Sequence, residues 1–79
     1  SRQGKQEKTR PLKKELGQID KRMAEQQTTK TTREERLSQP MPPAEIADNG
    51  KRLKAATDEI AKLEERWLEV SSELEALTA

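Results

Sequence analysis

The chain has 79 residues, of which 29% are apolar and 39% are charged. Its fifteen large apolar side chains are too few to enclose a deep catalytic pocket. The absence of His and Cys removes the usual nucleophiles, bases and soft-metal ligands. No apolar run is long enough for a signal peptide or a membrane span. We therefore expect a cytoplasmic, non-catalytic chain that makes no membrane contact and binds neither metal nor cofactor itself.

Three prolines divide the sequence into two segments with helical periodicity. Pro40, Pro42 and Pro43 fix φ and lack N–H donors, so continuing a helix through them would cost free energy. We predict a linker or frayed end at 1–7 and one domain at 8–78. That domain comprises a helix at about 8–37, a turn at 38–43 and a helix at about 44–78.

Both helical segments carry a seven-residue apolar repeat, in which positions are lettered a to g. In the first segment, a is Thr9, Leu16, Met23, Lys30 and Leu37, and d is Lys5, Leu12, Ile19, Gln26 and Arg33. In the second, a is Ile46, Leu53, Ile60, Trp67 and Leu74, and d is Asn49, Ala56, Leu63, Val70 and Leu77. Because thirteen of the fifteen large apolar residues occupy a or d, the pattern predicts an all-α fold, a monomeric two-helix antiparallel coiled-coil hairpin with a proline-rich turn.

Two segments are weak helix formers. Residues 26–33 contain four threonines and no apolar side chain, which leaves a loop as an alternative there. Asn49-Gly50 is a common turn-forming pair and could interrupt the second helix.

Charges at the g and e positions distinguish between two alignments of the helices. The favoured alignment pairs Leu12 with Trp67, Leu16 with Leu63, Ile19 with Ile60, Met23 with Ala56, and Gln26 with Leu53. Its flanking pairs all attract: Lys8 with Glu73, Glu15 with Arg66, Arg22 with Glu59, Arg36 with Glu45, and Lys13 with Glu64. A slip of one heptad would place Glu15 against Glu73 and Arg22 against Arg66. The favoured alignment also predicts a dry half away from the turn and a polar, softer half beside it.

Basic residues are the candidate functional residues. Residues 1–36 carry a net charge of +5 and residues 37–79 a net charge of −4. Cations outside the core can neutralise phosphates without reading sequence, and the lack of interleaved aromatic residues argues against base stacking. The candidates are Arg10, Lys13, Lys14 and Lys21, with a smaller cluster of Lys51 and Lys54 near the turn. An ordinary solubilising face is the alternative, and Lys13 is also a predicted partner of Glu64.

Trp67 could serve as a stacking platform, but its a position favours a structural role in the core. The pairs Glu34-Glu35 and Glu64-Glu65 suggest paired catalytic acids. Neighbouring helical residues diverge by about 100°, however, so a solvated face is the better interpretation.

Three segments together resemble the C-terminal domain of ABC-F ATPases of the Uup and YheS type. They are Arg10-Pro11-Leu12-Lys13-Lys14-Glu15-Leu16, Pro42-Pro43-Ala44-Glu45-Ile46 and Leu63-Glu64-Glu65-Arg66-Trp67-Leu68-Glu69. The resemblance spans roughly residues 8–78. Lys13 and Lys14 match the basic pair after Pro-Leu, and Trp67 matches a packing Trp. The aromatic residue expected near the turn is missing, and Met41 and Ile46 stand there instead.

This resemblance implies an accessory arm of a cytoplasmic, ribosome-associated ATPase that acts in translation. Two upstream cassettes would hold ATP and Mg, and no ATP-contacting motif lies in this chain. The arm would contact RNA or the ribosomal surface, and DNA binding is also associated with such domains. The alternative is a coiled-coil spacer or protein-docking arm with no nucleic-acid role.

Overall fold

The computed structural model describes residues 2–78, with side chains from residue 7 onward. Helix α1 (Arg2–Arg36) and helix α2 (Pro43–Thr78) pack against each other as an antiparallel hairpin of 62 × 15 × 15 Å. Within residues 2–78 there is no strand. The predicted two-helix hairpin is therefore confirmed.

Helix α1 is longer and more regular than predicted. It begins at Arg2 rather than at about residue 8, and it continues through Pro11 and through all of 26–33. The loop alternative for 26–33 is therefore wrong. The hydroxyls of Thr28 and Thr29 donate to the carbonyls four residues earlier, at 3.1 and 3.2 Å. These polar side chains thus bond to their own helix instead of breaking it.

The turn at residues 37–42 satisfies the carbonyls that the end of α1 leaves without helical donors. The amides of Leu37, Ser38 and Gln39 donate to the carbonyls of Glu34, Glu35 and Arg36. The Ser38 hydroxyl also donates to the Glu35 carbonyl, at 2.7 Å. The Arg33 carbonyl, which precedes these three, accepts a side-chain donor from the opposite helix.

Asn49, on the opposite helix, supplies that donor. Its Nδ2 donates to the Arg33 carbonyl at 2.9 Å, and its Oδ1 accepts from Arg33 Nη1 at 3.4 Å. Only 2% of Asn49 is exposed. Asn49-Gly50 was predicted as a possible break, but α2 runs through both residues and Gly50 has no positive φ. The Asn49 amide is bonded to α1, so it does not compete with the backbone of α2.

Two ion pairs across the helices identify the alignment. Arg22 donates to both carboxylate oxygens of Glu59, at 2.5 and 3.1 Å. Arg66 does the same to Glu15, at 2.5 and 3.0 Å. Both pairs belong to the alignment favoured from charge, which is confirmed. We call these four residues the bridge face. The other three predicted flanking pairs form no ion pair in the described part of the chain.

The buried residues all occupy predicted a or d positions. They are Thr9, Ile19, Asn49, Ala56, Ile60 and Val70. In the favoured alignment the four apolar members lie in the half away from the turn, and the member nearest the turn is Asn49. The predicted dry and polar halves are both present.

Trp67 is less buried than a central core residue should be. It is 38% exposed, and the other exposed members of the stripes, Leu37 and Ile46, also lie at a. The bridge face consists of g positions, whereas side chains at a lie toward the e positions on the other side of the hairpin. Among the described residues, no ion pair between the helices covers that side. Together with Met23, Glu64 and Leu68, Trp67 lines a shallow groove of about 310 Å³. Two helices cannot surround an indole ring, so the expected core role is only partly realised.

Replacing Asn49 with Ala should lower the free energy of unfolding by about 1–2 kcal/mol, because it removes the two hydrogen bonds that this buried side chain makes to the opposite helix. Urea unfolding followed by circular dichroism measures this change. The control is Asp48→Ala on the exposed surface beside it, which should cost less than about 0.5 kcal/mol. Equal effects of the two substitutions would contradict the assigned role of Asn49.

Replacing Trp67 with Ala should cost about 1–2 kcal/mol, less than the roughly 3 kcal/mol expected for a fully buried ring. Thermal melts of the hairpin test this value. Fluorescence of Trp67 should also be quenched by acrylamide more readily than that of an enclosed indole. A cost above about 3 kcal/mol together with weak quenching would show that the ring is enclosed.

Candidate nucleic-acid interface

Four of the predicted basic residues lie on α1, between its first turns and its middle. Arg10, Lys14 and Lys21 occupy b and f positions, which face away from α2, and Lys13 occupies an e position. All four side chains are exposed. Lys14 and Lys21 are two helical turns apart, so their charges lie about 10 Å apart along one side of the helix. We call these four residues the basic face.

Among the described residues, no carboxylate pairs with the basic face. Within the described residues none of the four forms an ion pair at 4.0 Å or less. Lys13 had an acidic partner, Glu64, in the predicted alignment, but the structure does not pair them. All four cations are consequently open to an external anion.

The second predicted cluster, Lys51 and Lys54, is also exposed but lies on α2. The structure does not bring it together with the basic face. Lys54 Nζ donates to Asp58 at 2.9 Å, and the neighbouring Arg52 donates to Asp48 at 2.9 Å. This cluster is therefore partly neutralised by its own helix, and Lys51 is its more available member.

The arginines of the bridge face are committed to carboxylates. Arg22 also contacts Glu25 at 3.4 Å, and Arg66 contacts Glu69 at 3.0 Å. The hydrogen bonds that Arg22 and Arg66 donate to the carboxylates of Glu59 and Glu15 raise the pKa of each arginine above its ordinary value. The hydrogen bond from Arg66 lowers the pKa of Glu15. These two arginines serve the alignment of the helices rather than an external ligand.

A further group of cations, which the sequence analysis did not assign to a binding site, lies at the turn. Arg33, Arg36 and Arg52 line a cleft of about 450 Å³ between the end of α1 and the start of α2, which we call the tip cleft. Their spacing in the sequence carries no motif. The available signal was the position of two of them in the last turn of α1, beside the prolines.

Other kinds of site find no support in residues 2–78. No group of three or more acidic side chains is placed to hold a metal ion there. Neither described helix has a segment both long and apolar enough to cross a membrane.

Comparison with known families identifies the hairpin. The family of ABC transporter C-terminal domains matches residues 7–72, well over half of the chain. The chain belongs to this family. No curated protein matches it, and no solved structure does. The match covers the basic face, the turn and Trp67, so this hairpin is a helical accessory domain of an ABC protein.

The acid stability of this ABC C-terminal domain should depend on Glu15. Because the folded-state pKa of Glu15 lies below its unfolded value, the stabilisation is present above about pH 4.3 and is lost as the pH falls through the folded value. We expect the urea midpoint to drop between pH 5 and pH 3, and to drop less in Glu15→Gln. The pH series is measured by circular dichroism.

Glu69→Gln is the matched control, because Glu69 contacts Arg66 from within the same helix. It should keep the acid dependence of the wild type. The role of Glu15 would be contradicted if Glu15→Gln and the wild type lost stability in parallel.

Proposed function

We propose that this domain is a nucleic-acid-contacting arm of a cytoplasmic, ribosome-associated ATPase of the ABC-F class. The parent protein would bind ATP and Mg in cassettes upstream and would act during translation. The arm would work as a monomer and bind RNA or DNA through Arg10, Lys13, Lys14 and Lys21, with Lys51 and Lys54 as additional contacts. Membership of the ABC family supports the parent assignment, and the resemblance of its motifs to ABC-F domains supports the class.

The observation that carries the proposal is the uncompensated charge of the basic face. Of the arginines and lysines that could meet phosphates, those on the bridge face are held by carboxylates, whereas those on the basic face are exposed and unpaired among the described residues. A phosphate that meets exposed lysines releases condensed counterions, which favours binding to any sequence. The long helix α1 presents these charges in a row that a nucleic-acid backbone can follow.

A protein-docking arm is the second candidate. The groove beside Trp67 supports it, since Trp67 and Leu68 are 38% and 60% exposed and together form an apolar surface. Aromatic residues are enriched at protein interfaces. The salt dependence of binding distinguishes the two candidates, because an apolar contact responds weakly to salt.

Replacing Arg10, Lys14 and Lys21 together with Gln should weaken RNA binding and reduce the log–log salt slope by about 2–3, since each lost phosphate contact removes about 0.7–0.9. Fluorescence anisotropy with hairpin RNA, single-stranded RNA and duplex DNA at several salt concentrations measures the slope. The circular dichroism melt should change little, because these side chains lie outside the core.

Lys62→Gln removes a charge from the acidic helix and should leave the affinity nearly unchanged. Equal affinity of the triple variant and the wild type would overturn the basic face as the binding site. The absence of binding at low salt would overturn the nucleic-acid arm and favour the docking arm.

A further inference from the structure

The tip cleft gathers charged groups from both helices into one concave site. Arg33 and Arg36 come from the last turn of α1, and Arg52 comes from the third turn of α2. Glu45 and Asp48 also line the cleft. Three guanidinium groups and two carboxylates leave a net charge of +1.

The three arginines differ in how many hydrogen bonds and ion pairs they form within the domain. Arg52 is paired with Asp48, so these two charges compensate each other. Arg33 is half-buried, and its Nη1 is held by the buried Asn49 at a long 3.4 Å, which positions the guanidinium and leaves most of its donors unused. Arg36 is exposed and has no side-chain hydrogen bond or ion pair in the described part of the chain, although the predicted alignment of the helices placed Glu45 beside it.

The start of α2 adds a backbone donor to the same cleft. Pro43 has no N–H, and the amides of Glu45 and Ile46 both donate to the Pro42 carbonyl. The amide of Ala44, a residue that lines the cleft, is thus the first donor of α2 without a backbone acceptor in the described chain. Such amides and the partial positive charge of a helix N-terminus favour an anion.

We propose that the tip cleft binds one phosphodiester group of a nucleic-acid backbone, with Arg36 as the principal ligand and Arg33 and the Ala44 amide as supporting donors. A phosphodiester carries a single negative charge, which matches the net charge of the cleft. It offers two non-bridging oxygens, which a planar guanidinium can bind in a bidentate manner. Glu45 disfavours anions of higher charge.

This inference rests on the proposed function and adds a second contact point to it. Lys21 and Arg36 are fifteen residues apart on α1, or roughly 22 Å along the helix. Lys51 and Lys54 lie beside Arg52 on α2, between the tip and the middle of the hairpin. One nucleic-acid segment of a few nucleotides can therefore reach both the basic face and the tip cleft.

Two single substitutions that change the net charge of the tip cleft in opposite directions provide the test. Arg36→Gln should weaken binding of hairpin RNA by about three- to tenfold at low salt, and Glu45→Gln should strengthen it, because each changes the charge of the cleft in a different direction. Arg36→Lys should fall between the wild type and Arg36→Gln, since it retains the charge but not the bidentate geometry. Lys62→Gln, which removes an equal charge far from the turn, should be nearly neutral. Circular dichroism checks the fold of each variant.

A dinucleotide probe separates this site from the basic face. UpU carries one phosphodiester group, and ¹⁵N NMR follows the Arg36 Nε–H and Ala44 N–H signals during its titration. Both signals should shift in the wild type and in the Arg10/Lys14/Lys21 triple variant, and should not shift in Arg36→Gln. If the triple variant bound long RNA as well as the wild type while UpU still moved the tip signals, the proposed basic face would fail and the tip cleft would stand.

Two results would overturn the tip cleft. One is unchanged RNA affinity in both Arg36→Gln and Glu45→Gln, with no shift of the tip signals by UpU. The other is a shift of the tip signals by an acidic peptide but not by UpU, which would make the cleft a protein contact.

Discussion

The hydrogen bond from Asn49 to the carbonyl of Arg33 joins the two helices at the point on which the rest of the hairpin depends. The end of a helix leaves carbonyls that must find donors, and backbone amides of the turn supply donors for the last three carbonyls of α1. Asn49 bonds to the preceding carbonyl, that of Arg33, from the opposite helix, and only one alignment of the helices places it there. The same bond holds Arg33 against the start of α2, and both Arg33 and Asn49 line the tip cleft.

The placement of carboxylates divides the arginines and lysines into two groups. Glu15 and Glu59 each face an arginine across the helices. These ion pairs fix the alignment, and the carboxylates neutralise the arginine charges. Surface ion pairs are individually weak, but two bidentate pairs on one side exclude a slipped alignment that would bring like charges together. On the outward side of α1 no such partners exist in the described chain, and the cations remain available. In this ABC C-terminal domain, the heptad position thus decides whether a basic side chain pairs across the helices or remains open to the ligand that we propose.

The sequence was sufficient for the periodic features of this hairpin. Heptad spacing predicted every buried residue, and like-charge avoidance selected the bridges at Glu15 and Arg22. Residues 26–33 were ambiguous because propensity is a local quantity, whereas packing against α2 holds that part of the helix, where the hydroxyls of Thr28 and Thr29 bond within their own helix. The role of Asn49 was not predictable from its turn-forming tendency, since its partner is sixteen residues away. The tip cleft and the exposure of Trp67 depend on how side chains of two helices meet in space, which a heptad pattern does not specify.

The dimensions of the hairpin have a mechanical consequence. A body 62 Å long and 15 Å thick converts a small rotation into a large displacement at its far end. Turning the hairpin by about 5° around its open end would move the turn by roughly 5 Å, close to the rise of one α-helical turn. The length of α1 and α2 therefore amplifies motion from the base to the turn, and an angular change too small to disturb packing at one end could make or break a contact at the other.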